Sequence, residues 1–386
     1  MTGGDGEVLG LLDALVRIDS VNPGLDAGGA GEAGIAAFVA AWGRAAGLRT
    51  ETTEGTPGRP SVILRGGRNT GGRRLLLCGH LDTVGRAGNR DGLIPRVDGD
   101  RLYARGAYDM KAGLAAALIA CRAAARAGIG GEVIVAAVAD EEATSLGIQE
   151  VLTRIDPAGI DAAVVTEPTE RKIGTAHRGF VWTEVTVTGV AAHGSRPHLG
   201  ADAILAAGHL LVAFDRLDQH LRSRPHPLLG PGNLHASLIR GGTEESTIPD
   251  RCVFTVERRT LPGETLDRTE ADVDDLIARC RPADPRLEVT ARTVLHRHPM
   301  ETPATSYAVQ ALLAAAGPGA EIAGMSYWAD SAFLSAAGIP TVLYGPEGEG
   351  AHADTEWVSR SGTRTVAAVL TRLARDVCGN GTADRP

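Results

Sequence analysis

The stretch RLLLCGHLD, residues 74–82, decides the fold. Its apolar run from Leu75 to Cys78 is typical of a strand buried on both faces, and such strands belong to parallel sheets covered by helices. His80 and Asp82 follow two residues apart, so in an extended chain both side chains point to the same side. A histidine and an acid at one strand end are more often a hydrogen-bonded pair than a catalytic one. The other strand ends must therefore decide between these two interpretations.

Composition limits what the protein can be. The chain has 386 residues, of which 43% are hydrophobic and 22% charged, and this favours two soluble globular domains. A formal net charge of -8 offers no basic surface to nucleic acid, and no apolar run approaches the ~20 residues of a membrane helix. The N-terminus lacks the features of a secretory signal, and five cysteines without a Cys-x-x-Cys spacing argue against a disulfide framework. We therefore expect a cytoplasmic protein with no nucleic-acid or membrane partner.

Strands and helices alternate through both flanks of the chain. Apolar strands are predicted at residues 61–64, 74–80, 132–139, 162–166 and 339–344, and helices at 32–46, 113–127, 307–315 and 362–377. This alternation indicates an α/β fold with a mainly parallel sheet covered by helices. The Gly-rich segment 66–72 favours a hairpin loop over a phosphate site, because no helix follows it.

The middle of the chain follows a different order. Strands are predicted at residues 181–188, 234–239, 252–258 and 287–294, with helices at 201–214 and 265–280. This β-α-β-β-α-β order is that of the ferredoxin-like unit. We therefore expect an inserted α+β domain at residues 178–297, and a catalytic α/β domain formed by residues 1–177 and 298–386.

Four of the five predicted strands of the flanks are followed by acids or histidines. The residues concerned are His80 and Asp82 after strand 74–80, Glu141 and Glu142 after 132–139, Glu167 after 162–166, His352 after 339–344, and Asp109 before the Ala-rich helix. In an open parallel sheet, ligands bind at the carboxyl ends of the strands. We therefore expect these side chains to converge on one site.

Two imidazoles together with several carboxylates suit zinc or a similar metal better than magnesium or calcium. The five expected ligands serve two ions if one carboxylate bridges them: His80, Asp109, Glu142, Glu167 and His352. A dinuclear site lowers the pKa of its water to about 7 and polarises a carbonyl. Glu141 is the candidate general base, and it must lie with Glu142 in the loop past the strand because consecutive strand residues point to opposite sides. Asp82 is expected to accept the second imidazole N–H of His80 and to fix its tautomer.

These motifs, in this order, resemble the acetylornithine deacetylase and succinyl-diaminopimelate desuccinylase family of dinuclear zinc hydrolases, which also includes aminoacylases and carboxypeptidases. The similarity runs through SVNP, GHLDTV, GAYDMKAG, ADEE, TEPT, GVAAHGS and YGPEGEGAH. It implies a zinc-peptidase-like catalytic domain in which one ion is held by His80, Asp109 and Glu167, and the other by Asp109, Glu142 and His352. It also implies that Glu141 is the general base and that the inserted domain mediates dimerisation.

The resemblance also implies roles for residues outside the metal ligands. His193 would reach the active site of a partner subunit and bind the scissile carbonyl, Arg259 would hold a substrate carboxylate, and Asn233 would assist. Without the resemblance, His193 is interpreted as a solvated loop histidine and Asn233 as a turn residue. Independently of the resemblance, Asp330 is expected to cap the helix that follows it, with orientation of a substrate amine as the alternative.

The leading hypothesis is a metal-dependent amidohydrolase that removes the acyl group from an N-acyl amino acid or a related amine. A hydroxide bridging the metals would attack the amide, and Glu141 would move the proton. Zinc is the expected metal, with cobalt or manganese as alternatives, and a homodimer through the inserted domain is expected. A cytoplasmic carboxypeptidase or dipeptidase with the same chemistry is the alternative. A non-catalytic binding relative is disfavoured, because all five ligands and Glu141 are present.

Overall fold

The computed structural model describes residues 4–85, 92–280 and 283–379 of the chain. The chain divides into two compact units. The first unit consists of Met1–Thr175, Thr302–Ala323 and Ala329–Pro386, and the second of Ala176–Glu301 and Gly324–Trp328. Over the described ranges, no helix combines the length and the apolar character needed to cross a membrane.

The elements are numbered in chain order. The helices are α1 (Gly4–Val16), α2 (Ala33–Ala45), α3 (Ala112–Ala127), α4 (Leu146–Arg154), α5 (Ala203–Arg222), α6 (Leu266–Arg279), α7 (Tyr307–Ala316), α8 (Ser331–Ala336) and α9 (Arg360–Cys378). The earlier strands are β1 (Arg49–Thr53), β2 (Ser61–Gly66), β3 (Arg74–His80), β4 (Arg96–Asp98), β5 (Arg101–Tyr103), β6 (Glu132–Val138), β7 (Ala162–Val165), β8 (Ile173–His177) and β9 (Gly179–Thr188). The later strands are β10 (Ala192–His193), β11 (Asn233–Gly241), β12 (Thr247–Ile248), β13 (Arg251–Thr260), β14 (Glu288–Arg297), β15 (Met300–Glu301), β16 (Ile322–Met325), β17 (Thr341–Leu343), β18 (Gly348–Glu349) and β19 (Trp357–Ser359).

The first unit is built on a mixed sheet whose central strands are parallel. Its order is β1-β2-β6-β3-β7-β17, and β17 also pairs with β8 through Leu343 and Gly174. Strands β6, β3, β7 and β17 run parallel to one another, whereas β2 pairs antiparallel with both β1 and β6. β3 occupies the predicted residues 74–80, and its apolar side chains are fully buried between β6 and β7. The predicted α/β class is thereby confirmed.

Helix α3 brings the end of β7 close to the segment before the helix. Its Ala-rich sequence is buried along almost its whole length, so the helix can approach the sheet closely. At Gly113 a Cβ atom would lie 1.8 Å from the backbone oxygen of Thr166, which leaves room only for glycine. Asp109, four residues before this contact, therefore comes close to Glu167, which follows Thr166.

Two features of the first unit differ from the sequence prediction. The segment 66–72 is not a hairpin loop, because β6 lies between the strands β2 and β3 that it connects and pairs with both. A second sheet, β18-β19-β5-β4, was not predicted. Its strands are two or three residues long, too short for hydrophobic periodicity to reveal them.

The second unit contains a four-stranded antiparallel sheet in the order β11-β13-β9-β14. Helices α5 and α6 pack against it. Along β9, Val181, Val185 and Val187 are buried, while alternate residues such as Trp182 are more exposed on the opposite face. This is the ferredoxin-like arrangement that the β-α-β-β-α-β order predicts.

Candidate metal centre

The five predicted metal ligands all belong to the first unit. They lie where strands end or helices begin: His80 ends β3, Asp109 lies in the turn Ala107–Lys111 before α3, Glu142 and Glu167 follow β6 and β7, and His352 lies between β18 and β19. The carboxyl ends of β3, β6 and β7 meet at one edge because these strands are parallel. The sheet therefore carries these side chains to one place, as the strand-end pattern predicts.

The five side chains form two groups that share Asp109. His80, Asp109 and Glu167 form the first cluster, and Asp109, Glu142 and His352 form the second cluster; within each cluster the ligand atoms lie within 4.8 Å of one another. His80 Nε2 is 3.2 Å from Asp109 Oδ1 and 3.8 Å from Glu167 Oε1. His352 Nε2 is 3.0 Å from Glu142 Oε2 and 3.3 Å from Asp109 Oδ2. The two carboxylate oxygens of Asp109 thus face one imidazole each.

The donor atoms of the first cluster fit a divalent metal ion. His80 Nδ1 lies 2.9 Å from the backbone oxygen of Asp82, which can only accept a hydrogen bond, so Nδ1 carries the proton. In the neutral ring, Nε2 then presents a lone pair to the carboxylates of Asp109 and Glu167, and this arrangement is repulsive unless a cation lies among them. A zinc-type ion bound by nitrogen and oxygen donors meets that requirement.

Burial and charge make the centre costly without a cation. The side chains of His80, Glu142 and Glu167 are buried, whereas His352 is 55% exposed. Burial raises the pKa of the Glu142 carboxyl, and it raises that of Glu167 well above its usual range. Hydrogen bonding to Asp109 and Glu142 raises the pKa of His352 to about 10. The negative charge of these carboxylates favours protonation of the His352 imidazole. A bound metal ion would compensate the same negative charge.

Asp82 supports the centre in a different way from the one expected. The nearest contact of His80 Nδ1 is the backbone oxygen of Asp82, and the Asp82 carboxylate oxygen is further away at 3.5 Å. That carboxylate instead accepts hydrogen bonds from the backbone N–H groups of Glu141 and Glu142, each at 3.2 Å. Residue 82 therefore fixes the imidazole through its backbone and holds the following turn through its side chain.

A buried polar network behind Asp82 was not predicted. Asn22 Nδ2 donates to Asp82 Oδ2 at 2.7 Å and to Asp140 Oδ1 at 3.0 Å. Arg59 donates to the same Asp140 oxygen at 2.6 Å and to both carboxylate oxygens of Glu32. Asn22 belongs to the SVNP motif, and this motif is the sequence signal for the network. Arg59 and Glu32 belong to no motif, so the sequence offers no signal for their part in it.

The candidate base Glu141 lies in the turn after β6, as expected. The turn forms because Asp140 adopts a left-handed backbone conformation with φ 67°, and Thr144 caps it by donating to the Asp140 carboxylate. Burial raises the pKa of Glu141 well above its usual range, and the carboxylates of Glu167 and Asp330 raise it further. Asp330 is buried directly before α8. It occupies the N-cap position of α8, but its side chain makes no capping hydrogen bond, so the capping interpretation is wrong.

The remaining predicted residues belong to the second unit. Asn233 and Arg259 lie opposite each other on β11 and β13, so Asn233 is a strand residue and not a turn residue. The Arg259 guanidinium pairs with Glu257 and lies 5.3 Å from the ring centre of Phe180, its neighbour on β9. His193 is exposed on the short strand β10, with Nδ1 2.8 Å from the Ser195 hydroxyl.

Comparison with known proteins identifies the family. Residues 76–376 match the model of peptidase family M20/M25/M40. An acetylornithine deacetylase from Myxococcus xanthus is 30% identical over 328 residues, which cover 82% of this chain and 84% of that protein. A tripeptidase structure from Staphylococcus aureus has a TM-score of 0.77 at 19% identity and covers 97% of this chain and 98% of its own. A dinuclear metal-binding M20 peptidase from Bacillus subtilis has a TM-score of 0.72 at 14% identity and covers 97% of this chain and 98% of its own.

The matched range contains every residue of both clusters and Glu141. The similarity to a deacetylase over most of the chain confirms the family resemblance drawn from the motifs. The chain belongs to peptidase family M20/M25/M40.

Proposed function

We propose that the protein is a metal-dependent amidohydrolase that removes the acyl group from an N-acyl amino acid or a related N-acyl amine. The observation that carries this proposal is the pair of histidine–carboxylate clusters that share Asp109, with the carboxyl of Glu141 in the adjoining turn. The similarity to an acetylornithine deacetylase over most of the chain supports amide hydrolysis as the reaction and an acylated amine as the substrate.

The two clusters are proposed to hold two divalent ions. His80, Asp109 and Glu167 would hold one, and Asp109, Glu142 and His352 the other. The mixed nitrogen and oxygen donors favour zinc, with cobalt or manganese as alternatives. Bound ions of this kind lower the pKa of a water molecule to about 7 and polarise an amide carbonyl.

Glu141 is proposed to move the proton. Its raised pKa makes its carboxylate a stronger base than an ordinary glutamate, so it can take a proton from water and later return it to the leaving amine. Its backbone N–H is held by Asp82, so the side chain starts from a fixed point of the turn. The partner subunit's His193 is proposed to donate a hydrogen bond to the oxygen of the tetrahedral intermediate.

The second unit is proposed to bind the rest of the substrate. Across its sheet, Asn233, Arg259 and Phe180 lie opposite one another on three adjacent strands. An amide, a guanidinium and an aromatic ring in one row suit a carboxylate beside an apolar group. An N-acyl amino acid with a free α-carboxylate and an apolar side chain has this combination.

We also propose that the protein is a homodimer formed through the second unit. Strand β11 is at the edge of its sheet and is exposed along most of its length. Leu238 and Ile239 on this strand are 60% and 55% exposed. An exposed apolar edge strand is a template for pairing with the same strand of a second copy. Molar-mass measurement of the parent protein and of Leu238→Asp would test this: a dimer that dissociates in the variant supports it, and a monomeric parent refutes it.

A hydrolysis screen tests the proposed reaction. Zinc-loaded and chelated protein would be assayed with N-acetyl amino acids, N-succinyl amino acids and simple dipeptides. Metal-dependent release of amino acids from the acylated substrates is the expected result. Cleavage confined to dipeptides would assign the protein to the peptidases of its family. If the metal-loaded protein hydrolyses none of these substrates, the proposed substrate class is refuted.

A further inference from the structure

Glu356 and Arg105 lie where two ligand-bearing segments separate. Arg105 is two residues beyond β5, and Glu356 directly precedes β19; these two strands pair antiparallel. After the pairing ends, one segment leads to Asp109 and the other comes from His352. The short sheet that contains β5 and β19 therefore anchors both sides of the second cluster.

The Glu356 carboxylate organises the segment that carries Asp109. Its Oε1 accepts the backbone N–H groups of Tyr108 at 2.8 Å and Asp109 at 3.0 Å, and its Oε2 accepts that of Gly106 at 2.8 Å. Gly106 has φ 75°, and Asp109 has φ −114° and ψ 95°, so these residues do not have the helical geometry of α3. One buried carboxylate thus satisfies three backbone donors of an irregular segment.

Arg105 extends this contact to the segment that carries His352. Its Nη1 donates to Glu356 Oε2 at 2.8 Å, and its Nη2 donates to the backbone oxygen of Ala353 at 2.7 Å. Both side chains are 2% exposed or less, so the ion pair is fully buried. Removing either partner would leave an uncompensated buried charge. The guanidinium therefore ties the residue next to His352 to the carboxylate that holds the backbone of Asp109.

We propose that Glu356 and Arg105 are positioning residues that fix the separation of Asp109 and His352, and thereby set the metal affinity of the second cluster. This inference rests on the proposed function only in taking the two clusters as metal sites. Within the described part of the chain, His80 and Glu167 form no hydrogen bond or ion pair with Glu356 or Arg105. Loss of the guanidinium link should therefore weaken the second cluster more than the first.

Arg105→Lys is the decisive variant. Lysine keeps the positive charge, but its single ammonium cannot reproduce the fork of two guanidinium nitrogens. Zinc titration of the metal-free protein by calorimetry should show two binding steps. We expect one step to weaken about 10- to 100-fold, the usual effect of losing a partner behind a metal ligand, and the other to change less than about threefold. His352→Ala should weaken the same step, which assigns it to the second cluster.

Arg126→Lys is the matched control for Arg105→Lys. Arg126 is exposed at the end of α3, so the substitution should leave both binding steps unchanged.

Glu356→Gln is a second variant. Its control is Glu349→Gln, at an exposed position on neighbouring β18. In Glu356→Gln the amide nitrogen would face backbone N–H donors. We expect weaker second-site binding and an altered cobalt absorption spectrum, with the rate recovered at high metal concentration.

Parent-like binding of two zinc ions by both variants, or equal loss of both sites in Arg105→Lys, would overturn the inference. Thermal unfolding of each variant shows whether it is folded. If Glu356→Gln does not fold, the zinc titration of Arg105→Lys alone tests the inference. A parent protein that binds two metals but hydrolyses no amide would refute the proposed function without affecting this result.

Discussion

The side-chain amide of Asn22 donates a hydrogen bond at 2.7 Å to the carboxylate of Asp82, 60 residues further along the chain. The same amide donates to Asp140, so one buried asparagine joins the loop before α2, the end of β3 and the turn after β6. The turn contains Glu141 and Glu142. The SVNP motif is thus connected to the candidate metal centre by two hydrogen bonds.

Asn22→Ala should destabilise the protein and lower its activity. The substitution removes one donor from each of two buried carboxylates, and each hydrogen bond lost to a charged group costs about 1.5–3 kcal/mol. A lower free energy of unfolding in a denaturant titration, together with a lower kcat, is expected. Gln219→Ala, at an exposed position of α5, serves as the control and should change neither quantity. Parent-like stability and kcat in Asn22→Ala would contradict the role assigned to this residue.

Glu141→Gln should lower kcat by about 100-fold or more, the usual contribution of a general base. Since Glu141 belongs to neither cluster, the variant should still bind two metal ions. Steady-state kinetics and elemental analysis of the same preparation test both statements. Hydrolysis at the parent rate would exclude Glu141 as the base, and loss of bound metal would show that it acts as a ligand.

Arg259→Met should raise KM for substrates that carry a carboxylate, by about 10- to 100-fold for one lost charge-assisted hydrogen-bonded pair. For amide analogues of those substrates, which lack the carboxylate, the rise in KM should be much smaller. Arg216→Met, at an exposed position of α5, is the matched control. An unchanged KM in Arg259→Met would assign carboxylate binding to another residue.

His177 should make the stability of the protein depend on pH. Burial lowers the pKa of its imidazole to about 4 from the usual 6.5. Above pH 6.5 the imidazole is neutral in both the folded and unfolded states. As the pH falls from 6.5 to about 4, only the unfolded state takes up the proton, so stability is lost over this interval. At about 1.4 kcal/mol per pH unit, the loss approaches roughly 3 kcal/mol.

Denaturant unfolding at a series of pH values would measure this loss as the difference between the parent protein and His177→Gln. The variant cannot titrate at this position and should lose less stability on acidification. Parallel stability curves for the two proteins between pH 7 and pH 4 would show that His177 does not contribute.

The sequence was sufficient to predict the central sheet and the grouping of the candidate metal ligands. Strand β3 could be predicted because its apolar run is continuous, as buried parallel strands require. Asp109, Glu142 and Glu167 could be grouped because parallel strands bring their carboxyl ends to one edge. Both inferences depend on local patterns whose spatial consequence is fixed by the sheet.

Contacts between residues distant in the chain could not be predicted. Arg59 and Glu356 are single charged residues without periodic neighbours. Only the folded chain shows that Arg59 binds the buried carboxylate of Asp140 and that Glu356 binds the backbone of Asp109. The segment 66–72, between β2 and β3, is predicted to be a hairpin loop because no helix follows it, and this prediction is wrong. Strand order is set by packing across the whole sheet, and there β6 lies between them.

Metal titration tests the central claim most directly. Metal-free protein would be loaded with increasing zinc, and bound metal and the hydrolysis of N-acetyl amino acids would be measured on the same samples. The clusters around Asp109 lead us to expect two tightly bound ions per chain, with no hydrolysis in the metal-free protein and a rate that rises with occupancy. Full hydrolysis by the metal-free protein, or an inability to bind more than one ion, would contradict a dinuclear metal-dependent hydrolase.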